Sequence, residues 1–240
     1  MRQISNYIYC DDFISSLKLE TKIMPNPYYG YPFMIIKDFF SKSTCHDIAD
    51  YTYNVSKGEK AKVKTRVLNS IVDPSVDTSI RKTVIHKLPS IYLNMYEENF
   101  KIYQPEIERF FSVALTTATT LQTLEYTKGS FYIKHSDDSN ELADEEGRTV
   151  GFIQVAPARK ITTVLFATSH QEHKSQDYSF SGGELIFNYL FDKKGDQVKL
   201  YPEAGDMLVF PSNPIYSHEV RPVNDGYRLT LVQWHNAIVS

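Results

Sequence analysis

Seven histidines, His46, His86, His135, His170, His173, His218 and His235, are the residues best suited to ligate a metal or to move a proton near neutral pH. One of them stands two residues from an acid, in His135-Ser136-Asp137. On an extended backbone, residues i and i+2 project to the same side, so the imidazole and the carboxylate can face one ion. A third ligand must come from elsewhere, and His218 lies 83 residues further on. Two histidines and a carboxylate on one face of an octahedron leave the remaining positions open, which is the ligand set of non-haem Fe(II) oxygenases. The pattern by itself is cheap: roughly 0.4 such matches arise by chance in a chain of this composition. A rival, His170-Gln171-Glu172, is also present. Taken alone, His135-x-Asp137 reads as a surface histidine beside a solvated acid.

Arg228 joins the set. It follows His218 by ten residues, across a turn signal at Asn224-Asp225-Gly226. That spacing predicts neighbouring strands, with Arg228 pointing into the same cavity as His218. A guanidinium inside a β-barrel is costly unless it meets a carboxylate in bidentate fashion. Thr230, two residues on, faces the same way and adds a hydroxyl. In isolation Arg228 would pair with one of the chain's own acids.

The elements that must position these residues change character along the chain. Before about residue 120 helical patterns dominate. Ser41 is a candidate N-cap for a helix with Cys45, Ile48, Ala49 and Thr52 on one face. A second helix is predicted over Val76–Leu88, stopped by Pro89. A third is predicted to begin near Pro105 and to carry Ile107, Phe110, Phe111 and Ala114, with the uncharged run Phe110–Leu124 as core helix. After residue 120 the pattern is short and β-like. Strands are predicted at Leu121–Tyr126, Phe131–His135, Val150–Val155, Ile161–Ala167, Glu184–Phe191, Val198–Tyr201, Met207–Phe210, His218–Val220 and Tyr227–Trp234, separated by glycine-bearing turns. Closely spaced short strands imply an antiparallel sandwich or barrel. The fold class expected is therefore α+β: a jelly-roll core, with the N-terminal helices packed on one sheet.

Composition narrows the function. The chain has 240 residues, 42% of them hydrophobic, and a net charge of −3 from 26 basic and 29 acidic side chains. That balance argues against a nucleic-acid-gripping protein. No uncharged run reaches the roughly 18 residues of a membrane span. Asp11 and Asp12 sit where a signal peptide would need an apolar stretch. Cys10 and Cys45 have no metal-like spacing, which favours a reducing, cytoplasmic setting. Tyrosines number 17 and phenylalanines 14, a bias that suits pleated, half-buried surfaces.

Five segments fall in a familiar order: Y-T-K-G-S-F-Y-I-K-H-S-D from Tyr126, R-K-I-T-T-V-L from Arg159, G-G-E-L-I-F from Gly182, G-D-M-L-V-F from Gly205, and H-E-V-R-P-V-N-D-G-Y-R-L-T-L-V-Q-W from His218. Together they resemble the prolyl 4-hydroxylase branch of the Fe(II)/2-oxoglutarate-dependent dioxygenases. The stretch Pro32–Cys45 is similar to that branch's lead-in strand and first helix. The resemblance covers roughly residues 32 to 236. It implies a single oxygenase domain over 32–240, with helical support at about 41–119 and a double-stranded β-helix at about 120–236. Residues 1–31 are left as an unassigned extension.

The resemblance also implies roles. His135, Asp137 and His218 match the iron ligands, and Arg228 the basic residue that holds the far carboxylate of 2-oxoglutarate. Tyr126 matches a tyrosine that hydrogen-bonds the co-substrate, and Thr230 and Trp234 fall where members line its pocket. His170 and His173 become exposed loop histidines; His46, His86 and His235 become structural. The acid-rich Glu141–Glu146 reads as a solvated loop or a mobile lid. The implied cofactors are Fe(II), 2-oxoglutarate and O2, with ascorbate as an accessory reductant. The implied partner is a small-molecule or peptide substrate, with no nucleic acid and no membrane. The reaction expected is hydroxylation of an aliphatic carbon with release of succinate and carbon dioxide. Two competitors stand beside it: a non-catalytic metal- or ligand-binding jelly roll, and a zinc hydrolase. The second lacks an H-E-x-x-H helix and leaves Arg228 unexplained.

Overall fold

The computed structural model describes residues 8–9, 32–61, 66–67, 70–71, 80–146, 148–172 and 178–239. Two sheets stack face to face. The larger runs, strand by strand, Met34–Ile36, Met207–Pro211, Ile161–Phe166, Arg228–Val239, Gln122–Tyr126, Val84–His86 and Glu59–Lys60, with Val113–Ala118 also paired to Arg228–Val239. The smaller runs Gln197–Leu200, Leu185–Phe191, His218–Val220 and Tyr132–His135. The chain alternates between the sheets as it proceeds, and every pairing within these two sheets is antiparallel. This is the winding of a double-stranded β-helix.

Side-chain alternation explains the layers. Along the central strands of the larger sheet, Leu124, Tyr126, Val164, Phe166, Leu208, Phe210, Val232 and Trp234 share one core with Leu185, Phe187, Val198, Leu200 and Val220 of the smaller sheet. The intervening Ile161, Leu165, Met207, Val209, Leu229 and Leu231 belong to a second core with Cys45, Ile48, Ala49, Tyr96, Phe100 and Ile107 from two helices. Period 2 thus sends alternate residues to opposite faces, and both faces are buried. That is why Met207–Pro211 reads as a continuous apolar run, and Ile161–Phe166 as one broken only by Thr162 and Thr163. It also puts Arg228 and Thr230 on the same face as Val232 and Trp234, turned toward the smaller sheet.

The helix Lys42–Asn54 matches expectation. Ser41 Oγ accepts from Thr44 N at 3.1 Å, and Cys45, Ile48, Ala49 and Thr52 form the buried stripe. The second helix differs. It spans Ser90–Phe111 and takes Pro105 into its interior, ending at Ser112 with φ 53°. Its buried Tyr96, Phe100 and Ile107 lie on either side of the proline, so one packed face outweighs the hydrogen bond that Pro105 cannot make. The uncharged run after Phe110 is not core helix: Val113–Ala118 is a strand paired to the end of Arg228–Val239.

The helix predicted over Val76–Leu88 is also corrected. Positions 76–79 lie outside the described residues, and Val84–His86 is a strand pairing with Gln122–Tyr126. The β-branched Thr83-Val84-Ile85 suit a pleat, and His86 Nε2 meets Glu125 Oε2 at 2.9 Å. Part of the predicted acidic loop is likewise ordered, as the strand Ser139–Ala143 pairs with Thr149–Gln154. None of the described helices is long and apolar enough to cross a membrane.

Candidate metal centre

His135 and His218 reach the site from adjacent strands. They are register partners in the pairing of Tyr132–His135 with His218–Val220, and their ring centroids lie 4.3 Å apart. Each ring is oriented by its own backbone two residues upstream. His135 Nδ1 lies 2.8 Å from the Ile133 carbonyl and His218 Nδ1 lies 3.0 Å from the Tyr216 carbonyl. Donation from Nδ1–H leaves the Nε2 lone pair of each ring free for a metal. Asp137 sits in the bend after Tyr132–His135, with Oδ1 3.9 Å from His135 Nε2. One ligand atom from each of His135, Asp137 and His218 falls within a sphere where all lie within 4.8 Å of one another. Among the described residues no other group of three or more His, Cys, Asp or Glu does this.

The electrostatics suit a divalent cation. Burial, and then the facing His218, push His135 down to about 3, so it is a neutral imidazole at physiological pH. Burial opposes ionisation of Asp137, but His218, His135, the Thr162 hydroxyl and Arg159 hold it below the ordinary carboxylate range. A neutral donor ring and an ionised carboxylate bind a cation without first losing protons. Asp137 Oδ2 is engaged by Thr162 Oγ1 at 2.7 Å, and Thr162 Oγ1 is 2.8 Å from Ser212 Oγ. That contact leaves Oδ1 as the metal-facing oxygen.

Arg228 enters the same cavity from the opposite sheet. The predicted adjacency of its strand with that of His218 is corrected: His218–Val220 lies in the smaller sheet and Arg228–Val239 in the larger. Between them, Val223–Gly226 pairs with Ser179–Gly182, so the turn signal at Asn224 marks a strand passage, not a hairpin. The cavity has a volume of about 600 Å³, and Tyr126, His135, Asp137, His218, Arg228, Thr230 and Trp234 all line it. Every residue singled out for a role is therefore on one wall or another of it.

The Arg228 guanidinium is 1% exposed and lies over the rings of Tyr126, Phe166 and Phe180 at 4.6, 5.4 and 5.7 Å. Its Nε and Nη1 are buried with no partner. Burial pulls its pKa down. A buried cation with two unused donors, in an aromatic cage beside a metal-ligand triad, fits the far carboxylate of a keto diacid.

The other histidines sort differently. His86 and His235 are buried, His86 against Glu125 and His235 stacked on Phe100 at 4.4 Å. His46 lies edge-on to Tyr178. His170 was expected in an exposed loop, but its side chain is 8% exposed and packs beside Phe180 and Tyr201, with Nε2 3.4 Å from Glu184 Oε1. His173 lies outside the described residues.

Four residues of the cavity escaped the sequence reading. Thr162 was legible as a hydroxyl on the inward face of a buried strand. Tyr132, whose ring stacks on His135 at 3.6 Å, and Arg159, 3.9 Å over Trp234, gave no separate signal. Arg81 gave none, because only strand pairing brings it in: Ile133 N donates to Ile80 O and Lys82 N to Phe131 O.

Comparison with known proteins agrees with this geometry. Residues 121–236 match the sequence profile of the 2OG-Fe(II) oxygenase superfamily. A PKHD-type hydroxylase of Rippkaea orientalis is 36% identical over 80 residues, covering 33% of this chain and 30% of that protein. A PKHD-type hydroxylase of Idiomarina loihiensis is 27% identical over 117 residues, covering 48% of this chain and 41% of that protein. The matched stretches thus span less than half of those relatives. The solved viral collagen prolyl hydroxylase from Paramecium bursaria Chlorella virus-1, in complex with 2OG, superposes with a TM-score of 0.56 at 15% identity, over 87% of this chain and 97% of that one. At that identity the likeness is one of fold.

Proposed function

We propose that the chain, whose residues 121–236 match the sequence profile of the 2OG-Fe(II) oxygenase superfamily, is a 2-oxoglutarate-dependent dioxygenase that hydroxylates an aliphatic carbon. His135, Asp137 and His218 would hold Fe(II), and Arg228 would hold the far carboxylate of 2-oxoglutarate, with Tyr126 and Thr230 beside it. The ion, with 2-oxoglutarate and O2, supplies an oxidant for a C–H bond while the keto acid is split to succinate and carbon dioxide.

The chain's own contribution is placement and exclusion of water. The two carbonyls that accept from Nδ1 fix both imidazoles, and Thr162 fixes the carboxylate. Tyr126, Phe166 and Phe180 keep the guanidinium of Arg228 out of water, which strengthens its grip on an anion. Trp234 and Thr230 close the wall behind the co-substrate. Residues 32–240 would work as one domain. The buried, unpaired thiol of Cys45 suits a reducing, cytoplasmic setting.

One observation carries the reading: a His-Asp-His triad and a buried arginine with unused donors share one cavity. The test is succinate release from 2-oxoglutarate under Fe(II) and air, together with the visible charge-transfer band on anaerobic addition of 2-oxoglutarate to the Fe(II) protein. Both are expected. Neither band nor succinate, with any candidate substrate, would overturn it.

A further inference from the structure

Arg228 is not the sole unsatisfied cation in the cavity. Arg81 is 8% exposed and lines the same space. Its Nε donates to Thr83 Oγ1 at 2.7 Å, while its Nη2 is buried and makes no hydrogen bond. Its guanidinium lies 4.7 Å over Tyr132, the ring that stacks on His135. Arg159 lines the cavity too, held over Trp234 and donating from Nη1 to the Asp137 carbonyl at 3.0 Å. Neither Arg81 nor Arg159 makes an ion pair among the described residues.

Charge makes the consequence plain. Among the described residues, three guanidiniums line the cavity against one carboxylate, Asp137. A divalent ion and a dianionic keto acid cancel one another, so loading the site leaves the excess of positive charge in place. Positive charge in a low-dielectric pocket calls for an anion. Arg228 is committed to the co-substrate, and Arg159 to Trp234 and the Asp137 backbone. Arg81 remains, with its Nη2 unpartnered next to the ring that covers a metal ligand.

Building on the oxygenase reading, we propose that Arg81 binds a carboxylate of the substrate, and that the substrate is a small aliphatic acid such as a free amino acid. A planar carboxylate suits a single guanidinium edge. A phosphate would want further donors, and among the described residues the cavity lining contains no lysine to supply them. A group this close to His135 would set which carbon of the bound acid lies over the metal.

The test uses the full chain loaded with Mn(II) and N-oxalylglycine, an unreactive 2-oxoglutarate analogue. Calorimetric titration then compares free amino acids and short aliphatic acids with their neutral amides, and with capped peptides. At least one acid is expected to bind tenfold or more tighter than its amide. Arg81→Gln should erase that preference while leaving amide affinity within about twofold, and Arg81→Lys should restore part of it. A purely structural Arg81 would weaken acid and amide alike. Equal affinities for acid and amide in the wild type, binding by capped peptides alone, no binding by any acid, or an acid preference that survives Arg81→Gln would each overturn the proposal. Because the wild-type comparison needs no variant, a poorly folding Arg81→Gln does not blunt the test. A wild type that fails to take up N-oxalylglycine would instead strike the oxygenase reading.

Discussion

His135 and His218 face one another across adjacent antiparallel strands, 4.3 Å between ring centroids, each tethered through Nδ1 to the carbonyl two residues before it. Sheet register, not loop closure, therefore sets the spacing of the two imidazoles. Asp137 completes the set from the bend that ends the His135 strand. A one-residue slip of that register would turn one ring to the other face of the sheet.

Thr162 governs the carboxylate. Its hydroxyl is 1% exposed and donates to Asp137 Oδ2 at 2.7 Å. The near-isosteric Thr162→Val removes the donor and leaves Oδ2 without it. We expect Mn(II) affinity to fall about 10- to 100-fold, measured by titration followed by electron paramagnetic resonance. Unchanged affinity would take Thr162 out of the account.

Arg228 should separate co-substrate from metal. Arg228→Met keeps the bulk inside the aromatic cage and deletes the charge. Loss of a buried charge-assisted contact costs about 2–5 kcal/mol, so the dissociation constant for 2-oxoglutarate should rise by roughly 30-fold or more. Metal affinity should move far less. A 2-oxoglutarate affinity within threefold of wild type would refute the role.

Gly183, in the link between the strands Ser179–Gly182 and Leu185–Phe191, lies against the Arg228 side chain. Its φ is +62°, and a Cβ there would lie 2.9 Å from Val223 Cγ2 and 3.1 Å from Arg228 Cδ. Gly183→Ala should cost about 1–3 kcal/mol of stability and also weaken 2-oxoglutarate binding by displacing Arg228. Thermal denaturation and calorimetry on one preparation check both; a stable variant with wild-type binding would show the contact to be slack.

His235 should shape the acid limb of stability. It is 3% exposed and stacked on Phe100, and burial lowers its pKa from 6.5 to about 4. The unfolded chain therefore binds a proton between those values that the folded chain refuses. Its contribution is fully present above about pH 6.5 and is lost as pH falls toward 4. His235→Phe should flatten stability over that window in urea denaturation, whereas a slope identical to wild type would place the titration elsewhere.

Much of this was legible in the chain. Nine strands from Gln122 onward lie close to where alternation and glycine turns put them, because two-sided burial favours continuous apolar runs such as Met207–Pro211. Ser41 announced its helix through a side chain that caps its own neighbour. The failures share a cause. Pro105 is a good first-turn residue locally, yet Tyr96, Phe100 and Ile107 bury one long face and pull the proline inside. Val84–His86 takes its conformation from the strand Gln122–Tyr126, far along the chain. The metal triad was visible because His135 and Asp137 are two residues apart. Arg81 was not, since nothing local ties it to Tyr132.

The most direct test is the metal itself. Anaerobic calorimetric titration of Fe(II) into the wild-type chain and into His135→Ala, Asp137→Ala and His218→Ala reads the triad in one experiment. One ion per chain is expected for the wild type, with binding lost in all three variants and folding intact by circular dichroism. Full occupancy retained by any one of them would contradict the centre described here.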